Sequence, residues 1–386
     1  MIAAAMSQLK PDYSRSLVNL MASISAGLGG QQTDYPTLAE VPPAELEGRN
    51  VLLMVIDGMG YDFLQRFPDS FLYRHLSARL TSVFPSTTAS AMTSYFTAAG
   101  PQQHAITGWH TYLKEIGCVV TILPFVPRYG GNSLIQAGYT PAQFFGHAPL
   151  SHRLDLPSHV VYPEYIVDSA YSQASSGTAQ RHGYSNMADM FRITTELLQQ
   201  PGPRYVFSYC STLDNLAHRH GVASAQVLAH FRELDALCEQ YLAPLAGSHP
   251  MFISADHGLI DTDPAHTIYL DEHPPLAHSL TLPLCGEARA VFCYVHPHRS
   301  KAFEEYVRDA LGHACTMHSS DELIAKGYFG LGTPHPTLAE RVGDYTLLMK
   351  DNYVLRDRLP QEKPYELIGV HGGLSPEELF TPLIRL

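Results

Sequence analysis

Paired thiols are missing from this chain. Its 386 residues include six cysteines, at 118, 210, 238, 285, 293 and 315, none in CxxC spacing and several inside apolar runs. That excludes a disulfide framework and a thiolate metal site, and it predicts buried thiols in a reducing compartment, hence a cytoplasmic protein. Basic charge is also scarce: 25 Lys and Arg against 37 Asp and Glu give a formal net charge of −12. A general nucleic-acid-binding surface needs the opposite balance and is excluded. No window reaches about 18 apolar residues, so no membrane-spanning helix is predicted. The first thirty residues lack a basic segment followed by a continuous apolar stretch, so no signal peptide is expected. Internal repeats and low-complexity tracts are absent as well.

What the chain does have is a set of acids and imidazoles placed just behind short apolar runs. VLLMVI at 51–56 has no polar alternation, the pattern of a strand buried on both faces, and Asp57 follows it. YVFSYC at 205–210 is followed by Asp214 and His218, and MFISA at 251–255 by Asp256 and His257. In open parallel α/β sheets ligands bind outside the carboxyl ends of the strands, so three such runs point to one site. The i, i+4 spacing of Asp214 and His218 puts both on one helix face, where they suit a single ion. Adjacent Asp256 and His257 share an ion only where strand has become loop, a turn that Gly258 permits. Oxygen and nitrogen donors without cysteine favour zinc, with manganese or iron as alternatives. Two such ions about 3.5–4 Å apart would clamp an in-line displacement at phosphorus. Singly, each piece has an ordinary explanation as a helix cap, a solvated helix face or, at His371 in VHGGLS, a glycine turn. Their conjunction selects the metal site.

The rest of the chain supplies a frame. SRSLVNLMASISAGL at 14–28 has helical apolar spacing and stops at Gly29 and Gly30, and a proline-bearing linker follows. Residues 1–47 are therefore expected to form an N-terminal helix and linker, and 48–386 a catalytic domain. Helices at 186–200 and 223–245 feed the runs at 205–210 and 251–255, an alternation typical of parallel pairing. A strand near 289–297, a helix at 301–311 and a strand at 344–350 extend it. Residues 126–190, rich in Tyr, Pro, Gly, Ser and His with little periodicity, are expected to be an inserted lid over the site. Tyr129, Tyr139, Phe144, Phe145, Tyr162 and Tyr165 there are candidates for stacking on a ring. A second insertion, 262–288, is expected to edge the pocket. Among 21 histidines, His152, His182 and His273 read as surface or pocket-lining, with His220, His266 and His278 as spare ligands.

VIDGMG, FPSTTAS with TAAGPQQHAI downstream, DNLAHRHG, ADHG and HGGLSPEELFTPLI together resemble the alkaline phosphatase superfamily, most closely its type I phosphodiesterase/nucleotide pyrophosphatase branch. The likeness runs from about residue 48 to the C-terminus. It implies an α/β fold with a mostly parallel central sheet flanked by helices on both faces and an inserted lid or cap. It further implies two divalent metal ions, one held by Asp214, His218 and His371, the other by Asp57, Asp256 and His257. A hydroxyl beside the second metal would be the nucleophile and form a covalent intermediate. Gap-free alignment on the family pattern places Thr88 there, as nucleophile and additional metal ligand, with Thr87 in reserve. TASAMTSYFTAA reads as a helix beginning near Pro85, whose N-terminal N–H groups favour an anionic oxygen. Where the family carries an aromatic directly after the nucleophile and an asparagine three positions on, this chain has Ala89 and Ala91.

The expected activity is that of a phosphodiesterase or nucleotide pyrophosphatase acting on a small-molecule phosphate ester. A phosphomonoesterase or phosphonate hydrolase on the same scaffold is the first alternative, and a module that retains metals without turnover the second. A sulfatase is disfavoured because Ser86 is followed by Thr87, Thr88, Ala89 and Ser90 rather than by the C/S-x-P-x-R pattern.

Overall fold

The computed structural model describes residues 9–360, 362 and 366–386. Seven strands form the central sheet, in the order Leu76–Thr81, Phe380–Arg385, Met251–Ser254, Asn50–Ile56, Arg204–Cys210, Ser158–Pro163 and Gln180–Tyr184. Asn50–Ile56 pairs in parallel with Arg204–Cys210 and with Met251–Ser254, so that Ile56 lies opposite Cys210 and Val55 opposite Ser254. All three runs thus end level, at one edge. Only Phe380–Arg385 runs antiparallel, between Leu76–Thr81 and Met251–Ser254.

Both faces of this sheet are covered, which is why its strands lack polar alternation. Val51, Leu53 and Val55 pack into one core with the helix Leu17–Gly27 and with Ala91, Met92 and Tyr95 of the helix Thr88–Thr97. Leu52, Met54 and Ile56 pack into another with Met190 and Phe191 of Met187–Leu198 and Val227 and Phe231 of Ala225–Leu242. Each fully buried Leu, Ile or Met here is worth about 1.5–3 kcal/mol of transfer free energy. Asn186 and Ser224 begin the last two helices by accepting from the N–H of Asp189 and of Val227. Among the described residues no helix is long and apolar enough to cross a membrane.

Two expectations need correction. The strands at Ala290–Cys293 and Tyr345–Met349 do not extend the parallel alternation; they pair with each other antiparallel. With Cys315–Ser319, Cys285–Gly286, His110–Leu113, Cys118–Thr121 and Val126–Pro127 they make a second, seven-stranded sheet. The segment at 301–311 is helical as expected, and its Phe303, Val307 and Leu311 cover Val291, Cys293, Leu347 and Met349 on one face of that sheet. Nor is 126–190 wholly without regular structure, since Ser158–Pro163 and Gln180–Tyr184 complete the central sheet at its edge, in parallel. SHVVYP has only three apolar residues in a row and QRHGY is a largely polar edge strand, so neither shows a period.

Candidate active site

Each strand end delivers its residue by a short, constrained path. Asp57 follows Ile56 directly, and its N–H donates to the Cys210 carbonyl at 2.9 Å. Gly58 then turns with φ +75°, and a Cβ there would lie 3.1 Å from the Asp214 Cβ, so glycine supplies both the left-handed turn and the room for Asp214. Asp214 occupies the first turn of the helix Thr212–His220 and His218 the next. Asp256 Oδ1 accepts from the N–H of Gly58 at 3.1 Å and of His257 at 3.0 Å, and Tyr209 donates its hydroxyl to Asp57 Oδ2. Gly258, expected for its turn, is needed for space instead: a Cβ would fall 2.0 Å from the Glu377 carbonyl oxygen and 2.8 Å from the Gly60 Cα. His371 follows the short strand Gly369–Val370, which pairs with Ile260–Asp261. The loop beyond it is fixed by Glu378, which accepts from the Gly373 N–H at 2.8 Å and meets Arg289 at 2.8 Å in a fully buried ion pair.

These residues come together as two groups, Asp57 with Asp256 and His257, and Asp214 with His218 and His371, the donor atoms within each lying inside 4.8 Å of one another. His257 Nε2 is 3.5 Å from Asp57 Oδ1 and 3.4 Å from Asp256 Oδ2; His218 Nε2 is 3.2 Å from Asp214 Oδ2. The other ring nitrogens are spoken for. Nδ1 of His218 meets the Gly369 carbonyl at 2.7 Å and Nδ1 of His257 the Gly258 carbonyl at 3.1 Å. A carbonyl only accepts, so Nδ1 carries a proton in both rings and Nε2 is the nitrogen left facing the carboxylates.

Electrostatically the site is dominated by its carboxylates, with His218 answering one of them. Burial, then the Asp256 and Asp214 carboxylates, push Asp57 well above the usual carboxylate range. Burial opposes the ionised form of Asp214 too, but His218 beside it overrides this and holds Asp214 well below that range. Burial likewise works against His218⁺, and Asp214 reverses it, raising His218 to about 9. His371 is kept neutral by burial and by His257. Asp57 Oδ1, Asp214 Oδ1, Asp256 Oδ2 and His371 Nδ1 are buried without a hydrogen-bond partner. Unanswered carboxylate oxygens and imidazole lone pairs, converging in two sets with no sulfur donor, fit two divalent cations.

The hydroxyl cluster sorts itself by partner. Ser86 is fully buried and donates to the Gly373 carbonyl at 2.7 Å. Thr87 donates to Glu287 Oε1 at 2.6 Å, and Ser90 is fully buried. Thr88 alone is half-buried, with Oγ1 3.1 Å from His257 Nε2. It opens the helix Thr88–Thr97, whose N-cap residue Thr87 makes no side-chain cap bond because its hydroxyl is turned to Glu287.

A cleft of about 1580 Å³ lies over both groups, with Thr88, Trp109, Leu123, Tyr165 and Glu287 among its lining. Of the aromatics expected to line it, Tyr162 and Tyr165 do. Phe144 packs instead against Phe125 and Tyr139, and Phe145 against Tyr171. Residues Val126, Pro127 and Arg128 of the first expected insertion, and Tyr269 and 284–288 of the second, border the cleft. The spare histidines lie outside the two groups: His266 pairs with Asp263, and His220 and His278 are exposed. His182 meets His159, and His273 the Tyr306 hydroxyl. Sequence reasoning missed Tyr209 and Glu287. Tyr209 sits inside an apolar run, and nothing local to Glu287 marks it.

A family model described as type I phosphodiesterase/nucleotide pyrophosphatase matches residues 51–374. Among solved structures, murine ectonucleotide pyrophosphatase/phosphodiesterase 5 is 16% identical with a TM-score of 0.64, over 87% of each chain. An inactive form of it in complex with AMP aligns with a TM-score of 0.63, also at 16% identity and over 87% of each chain. Phosphonoacetate hydrolase from Sinorhizobium meliloti 1021, in complex with phosphonoformate, is 14% identical with a TM-score of 0.64, over 87% of this chain and 89% of that one. These identities speak for the fold alone. No curated protein matches significantly.

Proposed function

Since the chain belongs to the type I phosphodiesterase/nucleotide pyrophosphatase family, and so is a metal-dependent hydrolase of phosphoric esters, we propose that it is a two-metal phosphodiesterase working through a covalent intermediate on Thr88. The observation that carries this reading is the pair of donor groups, one buried and the other partly exposed at His218 and His371, with a single accessible hydroxyl at a helix N-terminus beside the buried one. Asp57, Asp256 and His257 would hold one ion, Asp214, His218 and His371 the other, with zinc first and manganese or iron as alternatives. When bound, the ions supply Lewis-acid charge at both ends of an in-line displacement and lower the pKa of the hydroxyl.

The chain's own residues do the rest. His218 and His257, fixed through Nδ1, aim Nε2 at the sites the ions would take, and His218 would give up the proton that Asp214 favours there. Thr88 Oγ1 gives up its proton to solvent and attacks phosphorus as the P–O bond opposite breaks and its oxygen leaves with one ester substituent; water then attacks the ester on Thr88, the P–Oγ1 bond breaks, and Oγ1 takes a proton back as the phosphate monoester departs. The first-turn N–H groups, left without the Thr87 hydroxyl as a cap, favour the anionic oxygens of the transferring group. The AMP named with the murine relative supports a nucleotide-type diester. Phosphonoacetate hydrolase as a neighbour favours the second reading, a phosphonate hydrolase or monoesterase. The six cysteines, all free, support a reducing, cytoplasmic setting. Purified protein analysed for metals and assayed on bis(p-nitrophenyl) phosphate, p-nitrophenyl phosphate and phosphonoacetate tests the choice. Faster diester cleavage is expected; preference for either other substrate promotes the second reading, and no turnover of any by metal-replete protein leaves only a metal-retaining binding module.

A further inference from the structure

Glu287 belongs to neither donor group, yet it stands at the rim of both. Its Oε1 accepts from the Thr87 hydroxyl at 2.6 Å and from the Trp109 N–H at 2.7 Å, and Thr87 adjoins Thr88. Its Cβ lies where a side chain on Gly372 would collide, at 2.5 Å, and Gly372 adjoins His371. The carboxylate lines the cleft together with Thr88, Asp214 and His218. Nor is it free to swing away. It sits on the tight turn between Cys285–Gly286 and Ala290–Cys293, where Gly286 pairs with His110. Two residues on, Arg289 is locked to Glu378 and to the Tyr353 carbonyl at 2.6 Å.

Resting on the phosphohydrolase reading above, we propose that Glu287 is a specificity-determining residue that admits singly charged phosphodiesters and turns away doubly charged phosphomonoesters. A monoester phosphoryl group carries close to two negative charges above about pH 7, because its second pKa is about 6, whereas a diester carries one. The oxygen that the diester masks with a second substituent is the one a monoester brings bare and charged into a cleft with a fixed carboxylate at its edge. Like charges facing each other in a site shielded from water disfavour the wrong ligand more than they affect the right one. Burial raises Glu287 to about 7 against the two donors that favour its ionised form, so at alkaline pH it is charged.

Glu287→Gln tests this, because the amide oxygen still accepts from Thr87 and Trp109 while the charge is gone. The readout is the ratio of kcat/KM for bis(p-nitrophenyl) phosphate to that for p-nitrophenyl phosphate, at alkaline pH with metal-replete protein. The ratio is indifferent to how much of a preparation is folded. It should move at least about tenfold toward the monoester, with the diester term itself changing less than about threefold. A ratio within about twofold of the unaltered protein's overturns the inference. Should the glutamine variant yield no folded protein, Glu287→Asp, which withdraws the carboxylate by one methylene, is read the same way: a shift toward the monoester supports the assignment and an unchanged ratio defeats it. Active protein with an unmoved ratio removes Glu287 alone, whereas no turnover of either ester by unaltered protein removes the phosphohydrolase reading and this inference together.

Discussion

At the carboxyl ends of the central strands, Asp57, Asp214 and Asp256 keep buried oxygens without partners; toward the amino ends, His159, His182 and Arg204 largely answer one another. His159 Nδ1 meets His182 Nε2 at 3.2 Å, and Arg204 reaches His159, the Gln200 side chain and the Pro201 carbonyl. Burial, then His182 and Arg204, lower His159 to about 4, so His159 is held neutral beside the charged Arg204. At one end a buried histidine nitrogen, His371 Nδ1, keeps no partner; at the other the histidines complete the packing. A count of 21 histidines therefore says little until each is asked what its second nitrogen touches.

The sharpest way to break that comparison is Thr88→Ala, which should cut turnover by at least about a thousandfold while metal content stays near that of the unaltered protein. Full activity in that variant, or label from a rapid acid quench on another residue, would move the nucleophile. Next come Asp57→Ala and Asp256→Ala, each expected to lose bound metal and about a hundredfold or more in kcat/KM, by elemental analysis and steady-state kinetics. His182→Ala at the opposite end should change neither. Arg289→Ala strands Glu378 as a buried unpaired charge, and chemical denaturation should register a loss of about 3–5 kcal/mol. The smallest effect is at the amino end. A histidine whose folded pKa is below its unfolded 6.5 binds fewer protons when folded, so stability is full above that value and declines as pH falls from 6.5 toward 4. His159→Gln should flatten part of that slope in melts taken across the range, and an identical slope would assign it to other buried histidines such as His104.

Much of the candidate site was legible because strand polarity is short-ranged. Asp57, Asp256 and His257 follow their strands within three residues, so an apolar run and the next few letters suffice. Glu287 was not legible, because what makes it matter is a bond to Thr87, 200 positions away, through a sheet of short antiparallel strands whose pairing leaves no period. Ser158–Pro163 and Gln180–Tyr184 escaped for a related reason: they are strands by virtue of the neighbour they lie beside, the first with an apolar run of only three residues and the second largely polar. Gly258 was singled out correctly and explained wrongly, since close approach to the Glu377 carbonyl, which no local pattern reveals, is what forbids a side chain there.

The antiparallel strand Phe380–Arg385 sets a timetable for synthesis. It lies between partners that begin at residues 76 and 251, and His371 comes shortly before it. A ribosome must deliver residue 385 before Met251–Ser254 has its second neighbour, so the nascent chain carries an unsealed sheet edge from residue 254 until residue 385 emerges. Asp57 and Asp256 emerge long before His371 does. The second donor group therefore cannot be complete until His371 has emerged, after every member of the first.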